Sequence, residues 1–410
     1  MSTLLKPETA DGVLEVIAWA AAEEKPLEVR GRGTKAGIGR PVQAEYTLDL
    51  SALTGVTLYE PDELVLSARV GTPIAEIEAL LQENNQQLEF EPMDYGLIHG
   101  SGTGGGTIGG VLAANLSGPR RLKAGAARDH ILGIKAVSGR GERFKSGGRV
   151  VKNVTGYDLS KGLAGSWGTL AAITDVTFKV LPRAQTTATL LVTGLDDRQA
   201  VAVMCAAMGS SCEISAAAHL PADAAGMLPE LGGSGRPVTA LRLEGFGPSV
   251  AYRKAALKSL IADAGDFDEL DTEASQSLWR ALRDAAPLAQ GASPLWRVSV
   301  APTAGPDVVA ALSSLSIRHF YDWSGGLIWL AIDDDGAGEG AGDAGAKLIR
   351  AAIAASGGGH ATLVRGSPAL RSAIPPFQPQ APALAALSKR LKDNFDPGGI
   401  LNPGRMVAGA

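Results

Sequence analysis

The stretch "HGSGTGGGTIGGVLAANLSG", residues 99–118, carries the strongest structural signal in the sequence. It is rich in glycine and then changes abruptly into an apolar run with helix-like spacing. Glycine loses more backbone entropy on folding than any other residue, so such a tract indicates that another group lies close against the main chain. A second loop of the same character, "VRGRGTK" at residues 29–35, follows a short strand-like segment.

Together the two loops predict a site for the pyrophosphate of a long dinucleotide. Successive backbone N–H groups at 29–35 can form an anion-binding nest, to which Arg30, Arg32 and Lys35 can add positive charge. The segment 105–110 offers a second N–H-rich surface at a helix start, where the helix dipole also favours anions. The alternative interpretation is that both loops are simple surface turns.

Two better-known phosphate loops fit less well. A Walker-type loop ends in Gly-Lys-Ser/Thr, and the sequence contains no Gly-Lys dipeptide. Gly104, Gly106 and Gly109 match the Rossmann pattern G-x-G-x-x-G, and Asp129 follows about twenty residues later. However, the preceding segment "FEPMDYGLIHG" is interrupted by proline and glycine and is a poor strand.

Length and composition limit the class of protein. A chain of 410 residues predicts two or three domains, and 45% apolar with 20% charged residues is typical of a globular protein. The net charge of −5 gives no electrostatic basis for binding nucleic acid. The apolar runs are short and interrupted by charge, so we expect no membrane span, and the N-terminus lacks the pattern of a secretory signal.

Cysteine and histidine usage argues against a metal enzyme. Cys205 and Cys212 are too few for an iron–sulfur cluster and do not form a Cys-x-x-Cys pair, so we expect reduced core thiols. The histidines have no metal-binding spacing. They lie at positions 99, 130, 219, 319 and 360.

Hydrophobic patterning predicts an alternation of helices and strands as far as about residue 183. In the first helix, "GVLEVIAWAAAEE", Val13, Ile17 and Ala20 share one face. From about residue 186 the composition shifts toward Ala, Ser and Asp, and strand and helix patterns again alternate, which is typical of a smaller α+β domain. Residues 333–348 are predicted to be a surface loop entering a helix, and the chain ends in a helix and a tail punctuated by glycine and proline.

Several motifs identify a family resemblance. "VRGRGTK", "GGTIGGVLAANLSGPRR" and "GYDLSKGLAGSWGTLAAITDVTFKVLP" resemble the FAD-binding domain of the vanillyl-alcohol-oxidase / p-cresol-methylhydroxylase (PCMH) superfamily. The tail "FDPGGILNPGR" resembles the C-terminal segment with which members of that superfamily return to the FAD domain. The continuous run from "SGPRRLKAG" to "AGSWGTL", together with "DWSGGLIWL" and "GGGHATLVRG", resembles the E-subunit family of bacterial glycolate oxidases.

The resemblance implies an α+β fold, with a two-part FAD-binding domain of the vanillyl-alcohol-oxidase (PCMH) type and a smaller α+β cap domain. The expected ranges are 1–183 for the FAD domain, 184–385 for the cap or substrate domain and 386–410 for the returning segment. The FAD is expected to be non-covalent, because the first loop lacks the histidine to which some relatives attach it. The implied FAD-binding residues are Arg30, Gly31, Arg32, Gly33, Thr34, Lys35, Gly106, Thr107, Ile108, Gly109, Gly110, Asn115, Ser117, Gly118, Gly168, Ile173, Asn402 and Arg405.

The resemblance also implies oxidation of a small 2-hydroxy acid, glycolate, to glyoxylate. Arginine suits a carboxylate clamp and histidine suits a base, so Arg297, His360 and Arg365 are the predicted catalytic residues, with Trp323 nearby in the motif "DWSGG". On a regular strand His360 and Arg365 point to opposite faces, so they share a site only if the strand bends. The histidine-rich cap motif of many related dehydrogenases is absent from the sequence.

The expected partners follow from the same family. They are a dehydrogenase-like flavoprotein subunit and an iron–sulfur subunit that carries electrons onward, since this chain has no cluster ligands of its own. Two alternatives remain open: a stand-alone FAD oxidoreductase of another hydroxy acid or alditol, and a non-catalytic flavin-binding scaffold. The expected location is cytoplasmic, with peripheral association at the inner face of the cytoplasmic membrane through the complex as a further option.

Overall fold

The computed structural model describes residues 2–149, 156–233, 235–333 and 342–409. The chain divides into two compact units. The first contains Met1–Ser117, Gly125–Arg183 and Pro379–Ala410, and the second contains Gly118–Ala124 and Ala184–Gln378. The short stretch Gly118–Ala124 therefore departs from the expected range 1–183, and the later boundary falls after residue 378 rather than after 385.

The strands and helices, in chain order, have the following bounds. The strands are β1 (Thr3–Leu5), β2 (Leu27–Arg30), β3 (Tyr46–Asp49), β4 (Val56–Glu60), β5 (Val65–Arg69), β6 (Gln86–Gln87), β7 (Ile131–Ser138), β8 (Arg143–Gly147), β9 (Ala171–Lys179), β10 (Leu181–Pro182), β11 (Thr186–Thr193), β12 (Ala216–Leu220), β13 (Val238–Gly245), β14 (Asp266–Leu270), β15 (Leu295–Val300), β16 (Ile317–Asp322), β17 (Leu327–Ile332) and β18 (Gly359–Arg365). The α-helices are α1 (Ala10–Ala22), α2 (Ile74–Glu83), α3 (Gly96–His99), α4 (Ile108–Ala113), α5 (Arg121–Ala124), α6 (Ala127–His130), α7 (Leu159–Leu163), α8 (Asp197–Met208), α9 (Ala222–Ala225), α10 (Gly247–Leu260), α11 (Thr272–Arg283), α12 (Gly305–Ala310), α13 (Ala346–Ala355), α14 (Pro368–Ala373) and α15 (Pro382–Phe395). Short 3₁₀ helices occur at Leu50–Ala52, Pro229–Leu231, Ala286–Leu288, Pro302–Ala304 and Trp323–Gly325.

The first unit is built on two main sheets. A three-stranded parallel sheet has the order β1-β3-β2, and a five-stranded antiparallel sheet has the order β4-β5-β9-β7-β8. The predicted first helix is confirmed: Thr9 caps α1 by accepting a hydrogen bond from Gly12 N, and Val13, Ile17 and Ala20 are buried.

The second unit contains one eight-stranded antiparallel sheet, in the order β14-β11-β13-β12-β16-β17-β15-β18. Helices α8, α10, α12 and α13 bury their apolar sides in one core with this sheet. Helix α11 contacts β11, where Trp279 Nε1 donates a hydrogen bond of 2.9 Å to Thr189 Oγ1. Cys212 is buried and Cys205 is half-buried, and both are free thiols. Of the segment predicted at 333–348 to be a loop entering a helix, residues 334–341 lie outside the described residues, and α13 begins within its last three residues.

Candidate functional site

The first glycine loop leaves β2 and presents a row of backbone donors. Gly33 has a φ of +78°, a left-handed conformation that glycine adopts without steric penalty. The N–H groups of Arg32, Gly33, Thr34 and Lys35 form no hydrogen bond with any residue that the structure describes. Consecutive main-chain donors without an acceptor form a nest that suits an anion.

The second loop differs from the prediction. Thr107 caps α4, and its Oγ1 accepts from Gly110 N at 3.2 Å. The N–H of Ile108 donates to Thr72 O at 3.0 Å, and that of Gly109 donates to Val70 O at 2.9 Å. The N–H groups of Ile108, Gly109 and Gly110 are therefore used within the protein. Those of residues 105–107 form no hydrogen bond with any described residue, so only the first half of the predicted segment keeps unused donors.

The two loops approach each other so closely that several of their glycines have little room for a side chain. A Cβ atom on Gly31 would lie 2.9 Å from Thr107 Oγ1, and one on Gly105 would lie 2.9 Å from Thr34 Cγ2. On Gly110, a Cβ atom would lie 3.2 Å from Lys35 Cε. The glycines of the opening tract thus allow contact between the loops, which together form one wall of a groove.

This groove has an empty volume of about 780 Å³ and belongs entirely to the first unit. It contains both polar loops and an apolar wall, a combination common in small-molecule and cofactor sites. The lining residues are Val29, Arg30, Gly31, Arg32, Gly33, Thr34, Lys35, Ala36, Leu50, Val70, Thr107, Gly109, Gly110, Ala113, Ser166, Trp167, Gly168, Ala171, Ile173 and Arg405.

Lys35 and Arg405 are two of the four cationic residues that line the groove. Arg405 donates a hydrogen bond of 2.9 Å from its guanidinium to Lys35 O, and its Cζ lies 5.5 Å from the centre of the Trp167 ring. The pKa of Lys35 is lowered to about 8, chiefly because the ammonium group is buried; Asp94 opposes this shift, and the nearby Arg405 adds to it. A bound anion would stabilise the charged ammonium group, so the residues present fit a pyrophosphate.

Asn402 acts inside the protein rather than at the groove. Its Oδ1 accepts from Val29 N at 2.8 Å, and its Nδ2 donates to Val29 O and Trp167 O at 3.1 and 2.8 Å. The side chain is fully buried, and its amide oxygen and nitrogen both bind the main chain. It connects the end of β2 to the turn that contains Trp167, and so positions two walls of the groove.

The predicted FAD-binding residues divide into those that line the groove and those that do not. The structure brings together Arg30, Gly31, Arg32, Gly33, Thr34, Lys35, Thr107, Gly109, Gly110, Gly168, Ile173 and Arg405. The residues outside the lining are Gly106, Ile108, Asn115, Ser117, Gly118 and Asn402. Asn115 Oδ1 accepts from Arg128 N at 2.9 Å near the start of α6, and Gly118 belongs to the second unit. Sequence reasoning did not assign the apolar wall residues Leu50, Val70 and Ala113.

In the second unit, a separate cluster of cations surrounds Trp323. The Cζ of Arg297 lies 4.7 Å from the Trp323 ring centre, and the Cζ of Arg121 lies 6.0 Å from it. Pairing of β15 with β18 sets Arg297 opposite Thr362 and Ser299 opposite His360, so Arg297 and His360 share a face of the sheet. We refer to Arg121, Arg297, Trp323 and His360 as the cation cluster; Arg121 had no sequence signal for this role.

His360 has the protonation behaviour that a base requires. Its side chain reaches solvent, but partial burial lowers the pKa of the imidazole, and the neighbouring Arg297 and Arg121 lower it further. Each of these effects disfavours the imidazolium ion. The ring is therefore predominantly neutral at neutral pH and able to accept a proton.

The turn that holds Trp323 is conformationally strained. Trp323 and Ser324 have φ values of +53° and +57°, in the left-handed region that such side chains rarely adopt. The turn is held from both sides, because Asp322 Oδ1 accepts from Trp323 N at 2.7 Å and Trp323 Nε1 donates to Gly118 O at 3.0 Å. The hydrogen bond from Nε1 fixes the indole ring close to both arginines.

Arg365 does not join the cation cluster. The pairing of β15 with β18 shifts register between Leu295 and Trp296, which places Arg365 opposite Leu295. The strand is therefore irregular, and an irregular strand is the condition under which Arg365 and His360 could share a site. However, the Arg365 guanidinium donates to the carbonyls of Ser293, Ala289 and Leu288 at 2.8, 2.7 and 3.1 Å. These bonds give Arg365 a structural role and argue against its use as a carboxylate clamp.

A second titratable network in the same unit was missed by sequence reasoning. Asp197 accepts hydrogen bonds from Tyr321 Oη at 2.8 Å and pairs with His319 Nε2 at 3.0 Å, while His219 Nε2 lies 3.5 Å away. Burial alone would raise the pKa of Asp197, but these three partners outweigh it and hold the pKa well below its ordinary range. Among the residues that the structure describes, no group of three or more potential ligands could hold a metal ion.

Comparison with known proteins agrees with this geometry. Residues 1–147 match the model of the FAD binding domain family. Over 98% of this chain and 88% of the other, the fold is similar to p-cresol methylhydroxylase with substrate bound, at a TM-score of 0.74 and 14% identity. The chain thus has the predicted α+β fold, with a two-part FAD-binding domain of the vanillyl-alcohol-oxidase (PCMH) type.

The sequence comparisons define the family of this chain more closely than the fold does. The chain is 33% identical over 406 residues, 97% of either chain, to the glycolate oxidase subunit GlcE of Escherichia coli K12. It is also 30% identical over 189 residues, 46% of this chain and 38% of the other, to the glycolate oxidase subunit GlcD of Bacillus subtilis. The protein belongs to the GlcE family of FAD-linked oxidoreductases, which confirms the resemblance read from the motifs.

Within the described part of the chain, no helix is both long and apolar enough to cross a membrane.

Proposed function

We propose that this chain is the FAD-binding E-type subunit of a glycolate oxidase complex, which oxidises glycolate to glyoxylate. The observation that carries the proposal is the match to GlcE along 97% of both chains. The anion-binding groove of the first unit independently supports a dinucleotide cofactor. Its first loop contains no histidine, which supports non-covalent binding of FAD.

The groove residues would hold FAD through its pyrophosphate. The N–H groups of the first loop would donate to the phosphate oxygens, and Lys35 and Arg405 would supply the opposite charge. The second loop would provide the close wall against which the cofactor packs. Bound FAD supplies a two-electron acceptor for the hydride of an alcohol carbon.

The cation cluster would bind and deprotonate the substrate. Arg297 would pair with the carboxylate of the 2-hydroxy acid, and Arg121 would add positive charge beside it. The neutral imidazole of His360 would accept the hydroxyl proton as the alcohol carbon is oxidised to a carbonyl. Trp323 would position Arg297 through its ring face, and Arg365 is not included because its donors are occupied.

We further propose that electrons leave the chain through partner subunits. The two cysteines are free and too few to hold an iron–sulfur cluster. A dehydrogenase-like flavoprotein and an iron–sulfur subunit of the same complex would therefore be required for onward transfer. The proposed location is the cytoplasm, where the complex would bring the chain to the membrane surface.

Anaerobic reduction of the purified, FAD-loaded chain by glycolate tests the proposal. We expect the flavin absorbance to bleach, and we expect His360→Gln and Arg297→Gln each to slow bleaching by about 100-fold or more. Arg280→Gln removes an exposed arginine of α11 in the same unit and is the control, with an unchanged rate. FAD content is measured for every variant to exclude loss of the cofactor.

Two results would overturn parts of the proposal. If glycolate never bleaches the chain and the His360→Gln subunit still supports a fully active complex, the chain is a relay or scaffold and not the site of oxidation. If another hydroxy acid or an alditol bleaches the flavin and glycolate does not, the substrate assignment is wrong.

A further inference from the structure

The outer face of the five-stranded sheet in the first unit carries a row of charged residues. Arg69 on β5 pairs in register with Asp175 on β9, Asp175 pairs with Lys135 on β7, and Lys135 pairs with Lys145 on β8. Directly opposite residues of an antiparallel pair point to the same face. Three cations and a single carboxylate therefore cross four adjacent strands in one line.

The positive charge of this row is only partly neutralised. Lys135 Nζ lies 3.8 Å from Asp175 Oδ1, which is a long contact for a side chain that is 63% exposed. Arg69 and Lys145 form no side-chain hydrogen bond or ion pair with any residue in the described ranges. The like-charged pair of Lys135 and Lys145 is unfavourable without a partner, since like charges directly opposite on a sheet repel.

The row forms the floor of a groove with an empty volume of about 1100 Å³. Arg143 of β8 lines it with the other cations and forms an exposed ion pair with Asp11 of α1. Thr9 and Ala10, at the start of α1, also line the groove. The groove is positively charged, although the whole chain has a net charge of −5. Two carboxylates, Asp11 and Asp175, are outnumbered by four cations, which are Arg69, Lys135, Arg143 and Lys145.

We propose that this basic groove binds an extended, acidic segment of another polypeptide chain. The spacing favours a polypeptide over a small anion: Arg69 and Lys145 are separated by three inter-strand intervals, about 14 Å in all. An extended segment of four or five residues covers that span, with alternate side chains facing the floor at about 6.6 Å intervals. Acidic side chains near the two ends of such a segment would meet Arg69 and Lys145.

The groove is distinct from the proposed cofactor groove. No residue lines both, although both belong to the first unit. The inference therefore does not depend on the substrate or on whether the chain oxidises it. The basic groove is a surface that could bind another subunit through complementary charge.

Binding of a labelled acidic peptide to the full, FAD-loaded chain tests the proposal. The probe is a fluorescein-labelled peptide of about ten residues that alternates Asp with Ser, followed by fluorescence anisotropy at low salt. We expect saturable binding that weakens at least tenfold in the variant Arg69→Glu/Lys145→Glu and falls as salt is raised. The matched control Arg280→Glu/Lys347→Glu changes the net charge equally at two exposed positions of the second unit and should bind like the wild type.

Several outcomes would overturn the inference. It fails if the acidic peptide does not bind, or if a Lys/Ser peptide binds equally well. It also fails if both double variants lose the same affinity, because the effect then follows net charge and not this groove. Displacement of the peptide by equimolar inorganic pyrophosphate would reassign the groove to small anions. Unchanged FAD content and melting temperature exclude misfolding of the variants.

Discussion

The ammonium group of Lys35 sets the pH range in which the cofactor groove holds an anion. Its pKa is lowered to about 8 in the free protein, and a bound pyrophosphate would raise it again. Above pH 8, binding must therefore take up a proton, and the Kd for FAD should rise by up to about tenfold per pH unit. Titration of flavin fluorescence from pH 6.5 to 9.5 measures this dependence.

Replacing Lys35 distinguishes the contribution of its charge to FAD binding from that of the other groove residues. Lys35→Met should bind FAD more weakly at pH 7 and lose the pH dependence between 8 and 9.5. Lys347→Met, at an exposed position of the second unit, should keep both the affinity and its pH dependence. A wild-type Kd that stays flat across this range would contradict the assignment of Lys35 to the anion site.

Gly109 and Gly106 form a matched pair for testing close packing. A Cβ on Gly109 would lie 2.6 Å from Val70 Cβ and 2.9 Å from Val70 O, whereas one on Gly106 meets no atom within 4 Å. Alanine gains about 1 kcal/mol of helix propensity, but a contact with main-chain oxygen cannot be relieved by side-chain rotation, and overpacking costs about 1–3 kcal/mol. We expect Gly109→Ala to lower the melting temperature of the FAD-free chain and Gly106→Ala to leave it unchanged.

Individual residues also show which parts of the candidate site can be predicted from the sequence. The first loop was predicted because arginine, lysine and glycine after a strand indicate a nest, and the structure gives that loop free donors. The main-chain hydrogen bonds of Asn402 could not be predicted, because a motif does not reveal whether a polar side chain faces a ligand or the main chain. Arg121 was missed, because its neighbours Arg297 and Trp323 are remote in sequence.

At the scale of elements, the segment Gly118–Ala124 is a strap that groups with the second unit. Arg120 donates two hydrogen bonds to Glu244, of 2.9 Å from Nε and 2.5 Å from Nη2. Burial alone would raise the pKa of Glu244, but Arg242 and Arg120 outweigh it and hold the pKa well below its ordinary range. No periodicity in "GPRRLKA" indicates this placement, because the partners are supplied by β13 more than a hundred residues away.

Breaking this buried ion pair should cost far more than breaking an exposed one. Glu244→Gln leaves Arg120 and Arg242 without their shared carboxylate, so we expect a loss of about 3–5 kcal/mol in the free energy of unfolding. Asp307→Asn removes the exposed pair between Arg198 and Asp307 in the same unit and should cost at most about 1 kcal/mol. Equal losses in urea denaturation of the two variants would show that the strap is not held by this pair.

For the whole molecule, carboxyl groups with a lowered pKa are concentrated in the second unit. They are Asp197, Glu244, Glu269 and Asp333. A folded-state pKa below the unfolded value gives stability that is present above the unfolded pKa, near 4, and lost as pH falls. The second unit should therefore lose stability first on acidification, between about pH 5 and 3.

Asp197→Asn tests whether this acid sensitivity comes from the network with His219, His319 and Tyr321. The variant loses the charged acceptor, so it should be about 1–3 kcal/mol less stable than the wild type at pH 7 and lose less stability on acidification. Thermal melts at pH 7 and pH 4 measure both effects. Flavin fluorescence follows the first unit, and near-ultraviolet circular dichroism follows the four tryptophans of the second unit, which are Trp279, Trp296, Trp323 and Trp329. Asp263→Asn, an exposed carboxylate of the same unit, should melt like the wild type at both pH values. Flavin release at a higher pH than the tryptophan transition would instead place the acid-sensitive unit around the cofactor groove.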